Sequence, residues 1–181
     1  RKAIERLASK GVLMVAAAGN EGPAAGPSYP AAYEQVIAVT AVNKDLQSYR
    51  YANRGSYIDI AAPGVSIWTA LPGSMEGYHS GTSFAAPYVT ATLAAIYPRL
   101  ASKSQAEALR HFSFKDLGAP GPDPIFGNGL VVAPASCSGD EIASTPSAST
   151  IVPSSAAAAS TRGSTQAGEQ LPWLSFQGAD R

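Results

Sequence analysis

Gly81-Thr82-Ser83-Phe84-Ala85-Ala86-Pro87, followed by the apolar run of residues 88–97, decides how the rest of the chain is read. Small residues lead into one serine. Val89, Ala91, Leu93, Ala94, Ala95 and Ile96 then make a segment apolar nearly all round, and a helix of that composition is predicted to be buried. Pro87 has no N–H, so it is predicted near the helix start, where no helical bond is lost. Ser83 then falls at or just before the N-terminus, where free backbone N–H groups and the positive end of the helix dipole gather. That setting suits a nucleophile beside developing negative charge. It is also where an ordinary N-cap serine sits.

Working outward, Val12-Leu13-Met14-Val15-Ala16-Ala17-Ala18 reads as a strand buried on both faces, as in a parallel sheet. The helix before it holds Ile4, Leu7 and Ala8 on one face, and Gly11 is placed to end it with a left-handed residue. A helix feeding such a strand predicts an α/β fold. The strand runs into Gly19-Asn20-Glu21-Gly22-Pro23, putting polar residues at its carboxyl end, where open parallel sheets bind ligands. A phosphate loop is excluded there, because no Gly-Lys-Ser/Thr follows and Pro23 and Pro27 remove N–H donors.

Val36-Ile37-Ala38-Val39-Thr40-Ala41-Val42 reads as a second buried strand. Tyr57-Ile58-Asp59-Ile60-Ala61-Ala62-Pro63-Gly64 reads as a strand and turn, and residues 65–70 as a further short strand. Residues 71–77 are expected as a loop delivering the chain to Ser83. Ser104-Gln105-Ala106-Glu107 is a capping box opening a helix to about Phe112. Beyond Ala135, Ser, Ala, Thr, Pro and Gly dominate, so residues 136–181 are expected to be a disordered tail, with a small apolar patch at 171–176.

The 181 residues carry no net formal charge and only 14% charged side chains, which favours neither nucleic acid nor an anionic membrane as partner. No apolar run reaches transmembrane length. The single cysteine, Cys137, excludes an internal disulfide. The chain opens inside an amphipathic helix without Met, which reads as the continuation of a longer chain.

Four blocks together resemble the subtilisin-like serine proteases, in that family's order. They are Val15-Ala16-Ala17-Ala18-Gly19-Asn20-Glu21-Gly22, the Tyr29-Pro30-Ala31 to Val39 segment, Asp59-Ile60-Ala61-Ala62-Pro63-Gly64, and Gly81-Thr82-Ser83-Phe84-Ala85-Ala86-Pro87. Phe84 departs from the Met usual in the last. Phe126-Gly127-Asn128-Gly129-Leu130-Val131 is similar to the string that closes many of these domains. The resemblance spans residues 1–135 and implies the C-terminal half of a three-layer, parallel-sheet catalytic domain, with a tail after it.

By that resemblance Ser83 is the nucleophile, and Asn20 donates its side-chain amide to the oxyanion hole beside the Ser83 N–H. Ala17, Ala18 and Gly19 wall a primary specificity pocket, with Glu21 near its mouth. The Tyr29-Pro30 bond is expected to be cis. Carbonyls around Ala31, Tyr33 and Val36 fall where some relatives bind a structural cation, although no side chain here demands a metal or other cofactor. The implied partners are a protein or peptide substrate and an N-terminal half carrying the triad Asp and His, and export is implied too. Asp59 is implied to be structural, while His79 and His111 lack the family's His-Gly-Thr context and are read as incidental. The chain alone is therefore expected to be nearly inactive, and the open edge of its half sheet to invite aggregation. Two rival readings are a non-catalytic module of the same family and an α/β-hydrolase, whose Gly-Xaa-Ser-Xaa-Gly would need glycine where Ala85 stands.

Overall fold

The computed structural model describes residues 1–100 and 103–134. The expected tail, Cys137 and the patch at 171–176 lie outside the described residues. Helix α1 (Lys2–Ala8) leads through Gly11, at φ 73°, into strand β1 (Met14–Ala17). Strand β2 (Val36–Val42) is buried at every residue, as a run apolar but for Thr40 implies, and β3 (Ile60–Pro63) follows. The Tyr29-Pro30 peptide is cis.

Strands β1, β2 and β3 pair in parallel, and β7 (Leu130–Val132) continues the parallel sheet beside β3. Strand β6 (Ser113–Lys115) closes the far edge antiparallel to β7, giving the order β1-β2-β3-β7-β6. The architecture is mixed α/β around a parallel sheet, as the sequence predicts. Strand β1 forms one edge of this sheet.

Alternation along the strands separates the two faces. Ile37, Val39, Ala41, Ile60 and Ala62 pack against Ala85, Val89, Leu93 and Ile96 of helix α2 (Thr82–Ile96), together with Ala108 and Phe112. Each Val, Leu or Ile buried here contributes about 1.5–3 kcal/mol, and each Ala less. Val42 and Ala61 point the other way, onto Phe126, Leu117 and Ile125. Helix α3 (Gln105–His111) starts at the predicted cap, where the Ser104 side chain accepts the Glu107 N–H.

Three expectations are corrected. Residues 71–77 are not a plain loop: β4 (Ile67–Leu71) and β5 (Met75–His79) form a two-stranded antiparallel hairpin. Its turn is carried by Gly73 and Ser74, both at positive φ, and Trp68 packs edge-on against Tyr78. Helix α2 is not buried all round. One stripe (Thr82, Ala85, Val89, Thr92, Leu93, Ile96) meets the sheet and α3, while Tyr88, Ala91, Ala94 and Ala95 face outward. A single sheet face can cover only one side of a helix. Pro87, finally, lies inside α2 rather than in its first turn, so the Ser83 carbonyl lacks its usual i+4 donor.

Candidate active site

The carboxyl ends of β1, β2 and β3 meet the start of α2, and main-chain bonds set that junction. The Gly64 N–H donates to the Val42 carbonyl at 3.0 Å, and the Gly81 N–H donates to the Gly64 carbonyl at 2.8 Å. A Cβ on Gly64 would come within 2.7 Å of Ala41 Cβ and 2.9 Å of the Gly81 oxygen, so only glycine fits there. The Ser66 N–H donates to Ser80 Oγ at 2.9 Å, fixing the hairpin's exit. Ser83 consequently emerges as the second residue of α2, exposed to solvent, with Gly81 as N-cap. An N–H in this first helical turn has no intrahelical acceptor.

Asn20 arrives from the loop after β1. Its Oδ1 accepts two bonds from Thr82, the N–H at 2.9 Å and the hydroxyl at 3.0 Å. Thr82 Oγ1 in turn accepts the Gly19 N–H at 3.2 Å. With the carbonyl oxygen held by Thr82, the Nδ2 amide is left as the free end of the side chain, and it makes no hydrogen bond among the described residues. The structure thus brings Asn20 to the residue directly before Ser83, across 62 positions of sequence.

Two residues that the sequence did not single out brace this loop. Asn53, fully buried, accepts the Glu21 N–H at 2.8 Å through Oδ1, and its own N–H donates to the Gly19 carbonyl at 3.1 Å. The Tyr57 hydroxyl donates to the Ala18 carbonyl at 2.9 Å. Thr82 is a third: its place between Gly81 and Ser83 was the available signal, whereas nothing in the local pattern marks Asn53 as buried.

Among the expected pocket residues, Ala17 and Gly19 are half-buried and Glu21 is exposed. Ala18 is fully buried, its N–H engaged by the Val39 carbonyl.

Asp59 lies at the opposite end of the sheet. Its carboxylate accepts the Ala38 N–H at 2.8 Å and the Gln105 amide at 3.1 Å, and burial outweighs these bonds in raising its pKa above 3.8. Strand β3 separates it from Gly64 by on the order of 15 Å, so it cannot orient a base for Ser83. His111 is on α3, 3.0 Å from Glu107, whose pKa is lowered by hydrogen bonds from Arg110 and then His111. His79 ends β5, with its ring 5.9 Å from that of Phe84. Ala31, Tyr33, Val36 and Asp59 line a cavity of about 210 Å³ at the Asp59 end. Among the described residues no three His, Cys, Asp or Glu side chains cluster as metal ligands. No described helix is long and apolar enough to cross a membrane.

A parallel α/β sheet presenting an exposed serine and a tethered asparagine at its carboxyl edge has the makings of a hydrolase. The Subtilase family model matches residues 1–129, and the chain belongs to that family. It is 44% identical over 96 residues to subtilisin E of Bacillus subtilis (strain 168), covering 51% of this chain and 25% of that protein. It is 36% identical over 134 residues to M-protease of Shouchella clausii (strain KSM-K16), covering 74% of this chain and 35% of that protein. Subtilisin BL of Lederbergia lenta is 35% identical over 134 residues, covering 74% of this chain and 49% of the relative. The chain thus spans about a quarter to a half of these relatives.

Proposed function

We propose that residues 1–135 are the C-terminal half of the three-layer catalytic domain of a subtilisin-like serine endopeptidase, that residues 136–181 are a tail, and that the intact protein is exported. The observation that supports this best is the Asn20–Thr82 pair. Thr82, the residue before the nucleophile candidate, holds Oδ1 with two bonds, at 2.9 and 3.0 Å, and leaves Nδ2 without a partner among the described residues.

In this reading Ser83 Oγ attacks the scissile carbonyl carbon and passes its proton to an imidazole from the N-terminal half, oriented there by an Asp. The oxyanion takes hydrogen bonds from Asn20 Nδ2 and the Ser83 N–H. The imidazolium gives its proton to the departing amine, and water then hydrolyses the acyl-serine. Ala17, Ala18, Gly19 and Glu21 border the acyl-side specificity pocket. Without the upstream base the chain alone turns over negligibly; in subtilisin, loss of the triad His costs about 10⁶ in rate. No cofactor takes part in these steps.

The test is fluorophosphonate labelling of the full-length protein and of this chain alone, each with a Ser83→Ala control. Labelling of Ser83 in the full-length protein only is expected. A folded full-length protein that stays unlabelled would instead make this a non-catalytic module. Labelling of the isolated chain would place a base within it and refute the dependence on an upstream half.

A further inference from the structure

A second cavity, of about 400 Å³, opens beside the Ser83 segment, within the range of ligand pockets, roughly 300–1,000 Å³. Its wall comes from the loop after β2, including Gln47, Ser48, Arg50 and Tyr51, and from Ser80, three residues ahead of Ser83. We propose that it is a specificity pocket for an acidic side chain on the leaving-group side of the scissile bond, an inference that rests on the peptidase reading of Ser83.

Position gives the side. Asn20 and Gly19 reach Thr82 from the loop after β1, whereas the cavity is built from the loop after β2. The strands run in the order β1-β2-β3. A peptide whose acyl portion lies along Ala17 and Gly19 therefore carries its departing portion past Ser83 toward the cavity.

Chemistry gives the ligand. Among the described residues Arg50 is the one charged side chain in the wall, and no carboxylate lines it. The Arg50 guanidinium lies over the Tyr51 ring, 4.4 Å from its centre, and makes no ion pair or hydrogen bond among the described residues. The neighbouring carboxylate, Asp45, pairs with Lys44 instead. Stacking occupies the flat face of the guanidinium and leaves its in-plane N–H groups free, a fork that fits a carboxylate. The neutral groups point the same way. Gln47 Oε1 is taken by the Asn43 amide, leaving its NH₂ to donate. Ser80 Oγ already accepts the Ser66 N–H, leaving its proton. Ser48 Oγ is buried without a hydrogen-bond partner. The wall is thus rich in donors and carries one unpaired positive charge, so it suits an anionic acceptor.

The experiment uses the full-length protein and peptides with Glu, Gln or Lys at the first, second or third residue after the scissile bond. Glu should be cleaved in preference to Lys by about two- to fivefold at one of these positions, the scale of exposed ion pairs. Arg50→Gln should erase that ratio, Arg50→Glu should invert it, and added salt should shrink it. An unchanged ratio in both variants, or a preference confined to the acyl side, would overturn the pocket while Ser83 labelling leaves the peptidase reading intact. If Ser83 is not labelled and no peptide is cleaved, the peptidase reading fails by itself. Fluorescence anisotropy of labelled Glu and Lys peptides on the same variants then decides the pocket: Arg50-dependent binding of the Glu peptide supports it, and equal binding of both peptides overturns it.

Discussion

The two ends of the parallel sheet carry polar clusters built from similar parts and left in opposite states. At the amino end Asp59 accepts from the Ala38 N–H and Gln105, while its own carbonyl accepts from both the backbone and side-chain N–H groups of Asn128. At the carboxyl end, among the described residues, Asn20 uses only its oxygen, and Ser83, the residue after its partner Thr82, is exposed. A buried polar group that keeps its bonds internal holds chains together. A polar group positioned on one side and open on the other is ready for something that is not yet there. The difference is the one expected if Asp59 is structural and Asn20 has the proposed oxyanion role.

The sharpest way to break this contrast is Asn20→Ala in the full-length protein. If the open amide is the oxyanion donor, kcat should fall about 10²–10³-fold with little change in KM, as loss of this donor does in subtilisin. An unchanged kcat would demote Asn20 to a loop residue. Thr82→Val comes next, keeping the shape but removing the hydroxyl that holds Asn20 Oδ1 and accepts from Gly19. Loss of such bonds costs about 1 kcal/mol each, and kcat should fall about tenfold with KM held. A lower Tm with kcat intact would mean that Thr82 only braces the fold.

The smallest effect belongs to the other end. Burial holds the Asp59 pKa above 3.8, so the native state keeps a proton that the unfolded chain has released. Stability contributed by this group therefore falls as pH rises from 3.8 toward the folded pKa and is level above it. Asp59→Asn retains an acceptor for the Ala38 N–H and should flatten that fall, a change of a few degrees in a Tm profile taken from about pH 3.5 to 7. A profile identical to the native one would show that Asp59 is not held neutral by its surroundings.

Legibility in the sequence followed the range of the interactions. Strand β2 could be read to the residue because its apolar run is local, and α3 because Ser104 and Glu107 are three residues apart. The β4–β5 hairpin was missed because β5 (Met-Glu-Gly-Tyr-His) has no alternation and buries almost nothing. Burial of α2 was overread, since composition tells which faces could be covered and not which are. At the site, Ser83 and Asn20 were reached through their resemblance to known blocks. Asn53 escaped because its partner Glu21 lies 32 residues away, and no local pattern encodes that distance.

Gly64 links the Ser83 segment to the sheet through its main chain. From Val42 to Gly64 to Gly81 the path is carbonyl to amide to carbonyl to amide, with no side-chain atom along it. Main chain thus ties the Ser83 segment to the sheet, alongside the side-chain bonds of Ser80 and Thr82. Trp68 and Tyr78 of the hairpin take no part in that main-chain path. The surface around Ser83 can thus vary while the step from sheet to helix keeps its length.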